Sequence, residues 1–183
     1  MEYRRVELRG SYDHDREIHV VYTLVTPKGP IGGIGYQVFT PFRSEAGWWV
    51  YVNRGFVPRD KLDPATRAAG QVAGETSVTG LFRRPGSRSW FMPADDPAGN
   101  AWFSRDPAVF AAASGLAAAD VAPYVIDAGF DPALPGGMPQ GGETIVSFPN
   151  NHLGYAITWF GLAAALAAVV VAVIVKKRRQ LPA

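Results

Sequence analysis

Cysteine is absent from all 183 residues. Its absence rules out a disulfide framework, thiol redox chemistry, and thiolate ligation of copper, zinc or an iron–sulfur cluster. Histidine is almost as scarce, with His14, His19 and His152 the only three. No serine lies on a nucleophile-elbow pattern, and no spaced set of histidines and acids forms a metal-site signature, so a hydrolase has little to be built from. The glycines between Gly29 and Gly35 fit neither Gly-x-Gly-x-x-Gly nor a Walker loop, and no crossover helix follows them. No acidic residue follows Glu143. The formal net charge of +2 hides that asymmetry, because the sixteen acids and fourteen of the eighteen Lys and Arg precede the C-terminal apolar run. The first 150 residues are therefore near −2. That balance carries no nucleic-acid footprint.

What the chain does have is one long uncharged stretch, Tyr155 to Val175, closed by Lys176-Lys177-Arg178-Arg179. Twenty-one residues at about 1.5 Å each cover roughly the 30 Å of a bilayer's hydrocarbon core, and Thr158 is its one strongly polar side chain. A buried core helix would rarely be apolar on every face and then meet four adjacent cations. The segment reads as a transmembrane helix, which gives an extracytoplasmic domain over 1–150, a membrane helix over 151–175 and a basic cytoplasmic or matrix tail over 176–183. The positive-inside tendency sets that orientation, since the twenty residues before the span carry only Glu143. Met1 to Val6 opens directly into strand-like sequence, so an upstream signal or first membrane helix is expected outside this chain. A tail-anchored protein with its N-terminus inside would put the cations on the wrong side. Gly161/Ala165 and Ala164/Ala168/Ala172 form small-residue stripes that permit close packing of a second membrane helix.

Alternation and β-branched or aromatic residues predict strands near Tyr3 to Gly10, Glu17 to Val25, Gly35 to Phe42, Trp48 to Val57, Ser77 to Phe82, Pro123 to Asp127 and Glu143 to Phe148. Asp106 followed by Pro107 predicts an N-cap and first turn for one short helix, Ala108 to Ser114, that stops at Gly115. The fold class is mainly β, a small antiparallel barrel or sandwich with one short helix, followed by the C-terminal transmembrane helix.

Four segments carry chemistry or its alternatives. Asp13-His14-Asp15-Arg16-Glu17, with His19 nearby, has metal-ligand residue types, but strand alternation would separate the histidine from the acids. A solvated turn is the better reading. Arg54 lies in the apolar strand Trp48 to Pro58 on the face of Val50, Val52 and Phe56, so it points inward and requires a partner: a carboxylate or carbonyl, with Asp60 and Asp106 as candidates, or an anionic ligand group such as a propionate. Gly55 beside it marks a bulge or close backbone approach. Trp90-Phe91 and Trp102-Phe103 flank an acidic turn, and are read as clamps holding a long loop on the sheet in preference to a partner-binding surface. If the membrane helix begins one turn early, His152, Tyr155, Ala156 and Trp159 share a face. An imidazole between two aromatic rings at the membrane interface suits an axial ligand of a flat hydrophobic cofactor such as haem; the alternative is an aromatic belt with Asn150 or Asn151 capping the helix.

Val6-x-x-x-Gly10 with Asp13-His14-Asp15-Arg16-Glu17, Gly35-Tyr36 with Thr40-Pro41, Val52-Asn53-Arg54-Gly55-Phe56-Val57-Pro58, and Pro149-Asn150-Asn151-His152-Leu153-Gly154-Tyr155-Ala156-Ile157-Thr158-Trp159-Phe160 occur in order along the chain. Together they resemble the Surfeit locus protein 1 family of cytochrome c oxidase assembly factors. The resemblance implies a non-enzymatic protein of the bacterial or mitochondrial inner membrane, with two membrane helices flanking a β-rich domain in the periplasm or its mitochondrial equivalent. It also implies a role in supplying or stabilising haem a while oxidase subunit I matures. His152 matches the family's proposed haem ligand, which makes His152, Tyr155 and Trp159 the candidate cofactor site. Subunit I, membrane lipid and haem a synthase are the implied partners. A docking scaffold for oxidase subunits that never touches haem is the competing function.

Overall fold

The computed structural model describes residues 2–86, 88–146 and 151–180. Alternating and β-branched residues form β1 (Arg5–Tyr12), β2 (Ile18–Leu24), β3 (Gly33–Ser44), β4 (Trp49–Pro58), β5 (Glu75–Arg83), the two-residue β6 (Ala101–Trp102) and β7 (Val121–Ala128). Two α-helices accompany them, α1 (Pro107–Ser114) and α2 (His152–Gln180). The strands make one sheet in the order β1-β5-β7-β4-β3-β2-β6. Because β1 also pairs with β3 through Gly10–Ser44 to Tyr12–Phe42, strands β1, β5, β7, β4 and β3 close into a barrel. Closure pairs the backbone of β1 with the end of β3, which an open sheet would leave exposed, and leaves β6 as the outer edge.

The barrel is not wholly antiparallel. β7 arrives after the loop and α1, inserts between β5 and β4, and pairs with β4 in parallel; β6 pairs with β2 in the same sense. The expected strand from Glu143 to Phe148 does not form over 143–146, and its last two positions lie outside the described residues. There Glu143 serves as a clamp. Its carboxylate accepts from Lys28 N at 2.8 Å, Gly29 N at 2.9 Å and Gln140 Nε2 at 2.7 Å, fastening the late loop over the Pro27–Pro30 turn.

β4 is the central strand, and both its faces are covered. Val50 and Val52 join Phe42, Val78 and Ile126 in one apolar cluster, whereas Tyr51 on the opposite face joins Ile18, Val20, Phe39, Trp102, Phe110 and Val125 in another. Phe110 brings α1 onto that second cluster, with its ring 5.2 Å from Tyr51 and 5.4 Å from Phe39. The helix has the expected ends: Asp106 Oδ1 accepts from Ala108 N at 2.9 Å, Pro107 sits in the first turn, and Gly115 closes it at φ +67°. Two compact units result, dividing between Ile145 and Val146.

The barrel depends on one irregularity in β4. Val38 faces Gly55 while the adjacent Phe39 faces Asn53, so Arg54 is the extra, bulged residue. Gly55 adopts φ +132°, and a Cβ there would lie 2.1 Å from the Gln140 carbonyl oxygen. Close approach lets Phe56 N donate to Gln140 O and Gln140 N to Phe56 O, both at 2.9 Å. Gly55→Ala should therefore lose about 1–3 kcal/mol of stability from backbone strain alone, plus the cost of displacing the 140–141 backbone. Gly47, at φ +90° with no atom within 4 Å of its added Cβ, is the control: Gly47→Ala should bear only the backbone cost. Denaturant unfolding followed by tryptophan fluorescence checks this, and equal losses at the two glycines would disprove the close-approach argument.

Candidate functional site

Two places gather the residues singled out from the sequence. One is a buried polar network beside the β4 bulge, and the other is the start of α2.

Residues His14–Arg16 do form a turn, a short 3-10 helix between β1 and β2, but it is not solvated throughout. Glu17 is 6% exposed and His19 8%. Glu17 is held by Arg67, whose Nη2 bonds its Oε1 and whose Nη1 bonds Oε2 at 3.3 Å; His19 Nε2 donates to Oε1 at 2.7 Å. Burial by itself would raise the Glu17 pKa. The hydrogen bonds from His19 and Arg67, reinforced by the Arg67 charge, win and bring it from 4.5 down to about 2. Arg67 is itself 5% exposed, and its remaining donors go to Lys61 O at 3.0 Å and Leu62 O at 3.2 Å. Among the described residues no group of three or more His, Cys, Asp or Glu is arranged to hold a metal.

Arg54 does point inward, with 5% exposure, but neither Asp60 nor Asp106 reaches it. Its partners are neutral. Nη2 donates to Gly70 O, Nη1 donates to Gln71 Oε1 at 2.6 Å and to His14 Nδ1 at 3.2 Å, and the guanidinium lies 5.0 Å from the Tyr12 ring centroid. The bulge explains the mistaken partners, because it turns Arg54 out of the register shared by Val50 and Val52 and towards the 70–71 backbone. His14 takes the complementary tautomer, accepting at Nδ1 and donating from Nε2 to Val72 O at 2.8 Å. Burial lowers its pKa below the usual 6.5, and the Arg54 charge acts in the same direction.

The neighbours of Arg54 in sequence have structural tasks. Asn53 Nδ2 donates to Asp127 Oδ1 on β7 at 2.9 Å, and its Oδ1 accepts from Gly55 N at 3.1 Å. Asn100, in the left-handed region at φ +47°, is a further linker: its Nδ2 donates to Glu17 O at 2.9 Å and its Oδ1 accepts from Trp102 Nε1 at 2.8 Å. Sequence reasoning missed Arg67 and Asn100. Arg67 lies among alanines in a 3-10 segment, Pro64–Gly70, that reads as exposed loop.

The aromatic pairs divide. Trp102 is 3% exposed and packs on Phe110, as a clamp should. Trp90 and Phe91 do not clamp anything; they are 96% and 72% exposed, stacked edge to face at 5.8 Å on the loop between β5 and β6.

α2 starts at His152, with Tyr155 N donating to Asn151 O at 3.0 Å in the first turn. Asn150, the other candidate cap, lies outside the described residues. A helix that includes His152 puts His152, Tyr155 and Trp159 at i, i+3 and i+7, on one face. Tyr155 is 65% exposed and Trp159 68%. His152–Arg178 is long and apolar enough to cross a membrane, and its most apolar window buries nothing within the chain.

The fold and the helix define a class: a small closed β-barrel domain joined to one candidate membrane span. The SURF1 family model matches residues 1–164, and the chain belongs to that family. Relatives include Surfeit locus protein 1 of Takifugu rubripes, 37% identical over 97% of this chain and 76% of that protein. Surfeit locus protein 1 of Homo sapiens is 40% identical over 90% of this chain and 57% of its own length, and that of Mus musculus is 42% identical over 90% and 55%. The chain thus spans little more than half the length of the human and mouse relatives.

The network separates its two buried arginines. Arg67→Ala strands a buried carboxylate and should cost about 3–5 kcal/mol, whereas Arg54→Ala strands only neutral acceptors and should cost about 1–3 kcal/mol. Urea titrations of both variants test the order, and an equal or reversed order would refute the assignment. The pH dependence follows from the depressed pKa values of His14 and Glu17. In each case the folded chain holds fewer protons than the unfolded one, so the stability is fully present above the unfolded value and lost as pH falls. The loss should begin below pH 6.5 as His14 is protonated. It should steepen below 4.5, where the Glu17 contribution of about 3 kcal/mol disappears towards pH 2. Stability measured against pH should lose this second step in Glu17→Gln; a step that survives would show that another group causes it.

Proposed function

We propose that this chain is a non-enzymatic assembly factor for cytochrome c oxidase, which binds or hands over haem a while subunit I matures. Its α2 helix anchors it in the bacterial inner membrane, or the mitochondrial inner membrane in a eukaryote. The four cations at 176–179 lie in the cytoplasm or matrix, and the barrel lies on the other side. Membership of the SURF1 family supports the assembly role, and lipid, subunit I and haem a synthase are its proposed partners.

One observation carries the haem reading: α2 begins at His152, so its imidazole and the exposed rings of Tyr155 and Trp159 line one face at the start of the apolar span. The donor set fits the group. One imidazole on a helix face with two aromatic rings suits a flat hydrophobic cofactor such as haem, whereas a zinc or copper centre needs several clustered ligands. When bound, haem a would supply an iron able to accept a nitrogen donor, and His152 is the residue that would hold it. His152 would orient the group, and the exposed rings of Tyr155 and Trp159 would pack against it. The exposed Trp90–Phe91 pair supports the second reading, a membrane-anchored scaffold that docks oxidase subunits without touching haem.

His152→Ala should remove the Soret band from full-length protein purified from cells that make haem a, with protein abundance and membrane insertion unchanged. His14→Gln and His19→Gln should keep their haem per folded molecule, since both rings belong to the barrel network. A wild-type spectrum in His152→Ala would overturn the ligand assignment and favour the scaffold. Orientation has a separate test: a reporter active only in the cytoplasm, inserted near residue 100, should stay silent, and activity there would reverse the topology.

A further inference from the structure

A cavity of about 590 Å³ lies in the barrel domain, where the end of β7 and the start of β5 meet the late loop and the bulge of β4. Its volume falls within the roughly 300–1,000 Å³ of small-molecule sites. Val78, Ala128, Phe130 and Leu134 contribute apolar surface, and Arg54 forms part of the wall. The charged side chains that line it are Arg54, Arg5 and Asp131.

Arg54 is the unusual member of this wall. A guanidinium that is 95% removed from solvent ordinarily requires a carboxylate, because neutral acceptors recover only part of the lost hydration. Among the described residues Arg54 has the Gly70 carbonyl, the Gln71 amide, the His14 ring and the face of Tyr12, and no acid within ion-pair reach. The buried arginine nearby, Arg67, has its acid in Glu17. Arg5 is exposed, lines the same cavity and makes no ion pair among the described residues. Asp131 is exposed as well, with Oδ1 accepting from Ala133 N at 2.9 Å, so the lining carries a net positive charge. Phe130 is left 70% exposed although it lines the cavity.

We infer that this cavity binds an anionic amphiphile, with its oxyanion group placed against Arg54, Arg5 adding to the positive charge of the lining, and an apolar body against Phe130, Leu134, Val78 and Ala128. The lining belongs to the barrel domain, and the inference does not rest on the reading of His152. A carboxylate or a phosphate monoester has the required chemistry; a neutral body of the same length does not.

The test uses the full-length chain in neutral maltoside micelles, with thermal midpoints recorded against sodium octanoate, octyl phosphate, 1-octanol and inorganic phosphate. Octanoate or octyl phosphate should raise the midpoint with an apparent affinity about tenfold or more above that of octanol, the advantage of a hydrogen bond to a charged group. The stronger of the two tells a fatty-acid-like carboxylate from a lipid phosphate. Inorganic phosphate should have little effect, because it has no apolar body. Arg54→Gln should bring the two anions down to octanol. Since that variant also disturbs the network, Arg5→Gln and Thr79→Trp provide independent tests at exposed positions. Arg5→Gln should weaken the anions severalfold and leave octanol alone, and Thr79→Trp should fill the cavity and abolish every shift. An octanol effect equal to that of octanoate, an inorganic phosphate effect equal to it, or an octanoate shift that survives Thr79→Trp would overturn the inference.

Discussion

Glu17 stays ionised at a point from which water is excluded, and the surrounding chain is arranged to make that tolerable. Its carboxylate needs Arg67 and His19 against it, which fixes the start of β2 and the whole segment from Lys61 to Gln71 in position. Gln71 continues the chain of contacts, bonding Glu17 Oε2 at 3.4 Å on one side and accepting from Arg54 on the other. Arg54 in turn holds His14, so the turn between β1 and β2 is tied from both ends. Desolvated charges of this kind add little net stability compared with an apolar core of the same shape. Breaking one of them is costly, and that makes the arrangement specific.

The same economy explains the Asn53-Arg54-Gly55 run. Asn53 joins β4 to β7, Arg54 occupies the bulge, and Gly55 lets the 140–141 backbone reach Phe56. They thread the late loop against the barrel so that a buried cation ends up in the wall of a cavity.

Much of the architecture was legible because it is written in local pattern. Alternation located six strands, Trp48 to Pro58 read as an apolar strand, and Asp106-Pro107 with Gly115 defined α1 at both ends. Arg54 was legible as an inward charge, but its partners were not, because Gly70, Gln71 and His14 reach it only through tertiary folding and the bulge breaks the alternation that would have aimed it. Glu17 looked solvated for the same reason: Arg67, fifty positions away among alanines, shows no local sign of burial. Trp90 and Phe91 misled in the opposite sense, since aromatic content alone does not reveal whether a loop folds back on the sheet. The face of His152, Tyr155 and Trp159 needed only helical spacing, which a single continuous helix supplies.

The barrel and α2 thus divide the work. The domain keeps its form through a buried charge network, while the proposed haem chemistry rests on one imidazole at the start of an apolar helix. The form of the domain depends on the ionisation of Glu17. Its side-chain carboxyl carbon can be followed by NMR in isotopically labelled full-length protein as pH is lowered towards unfolding. A titration midpoint near 2 is expected if Arg67 and His19 hold the carboxylate as described, whereas a midpoint at or above 4.5 would show that the network is not formed.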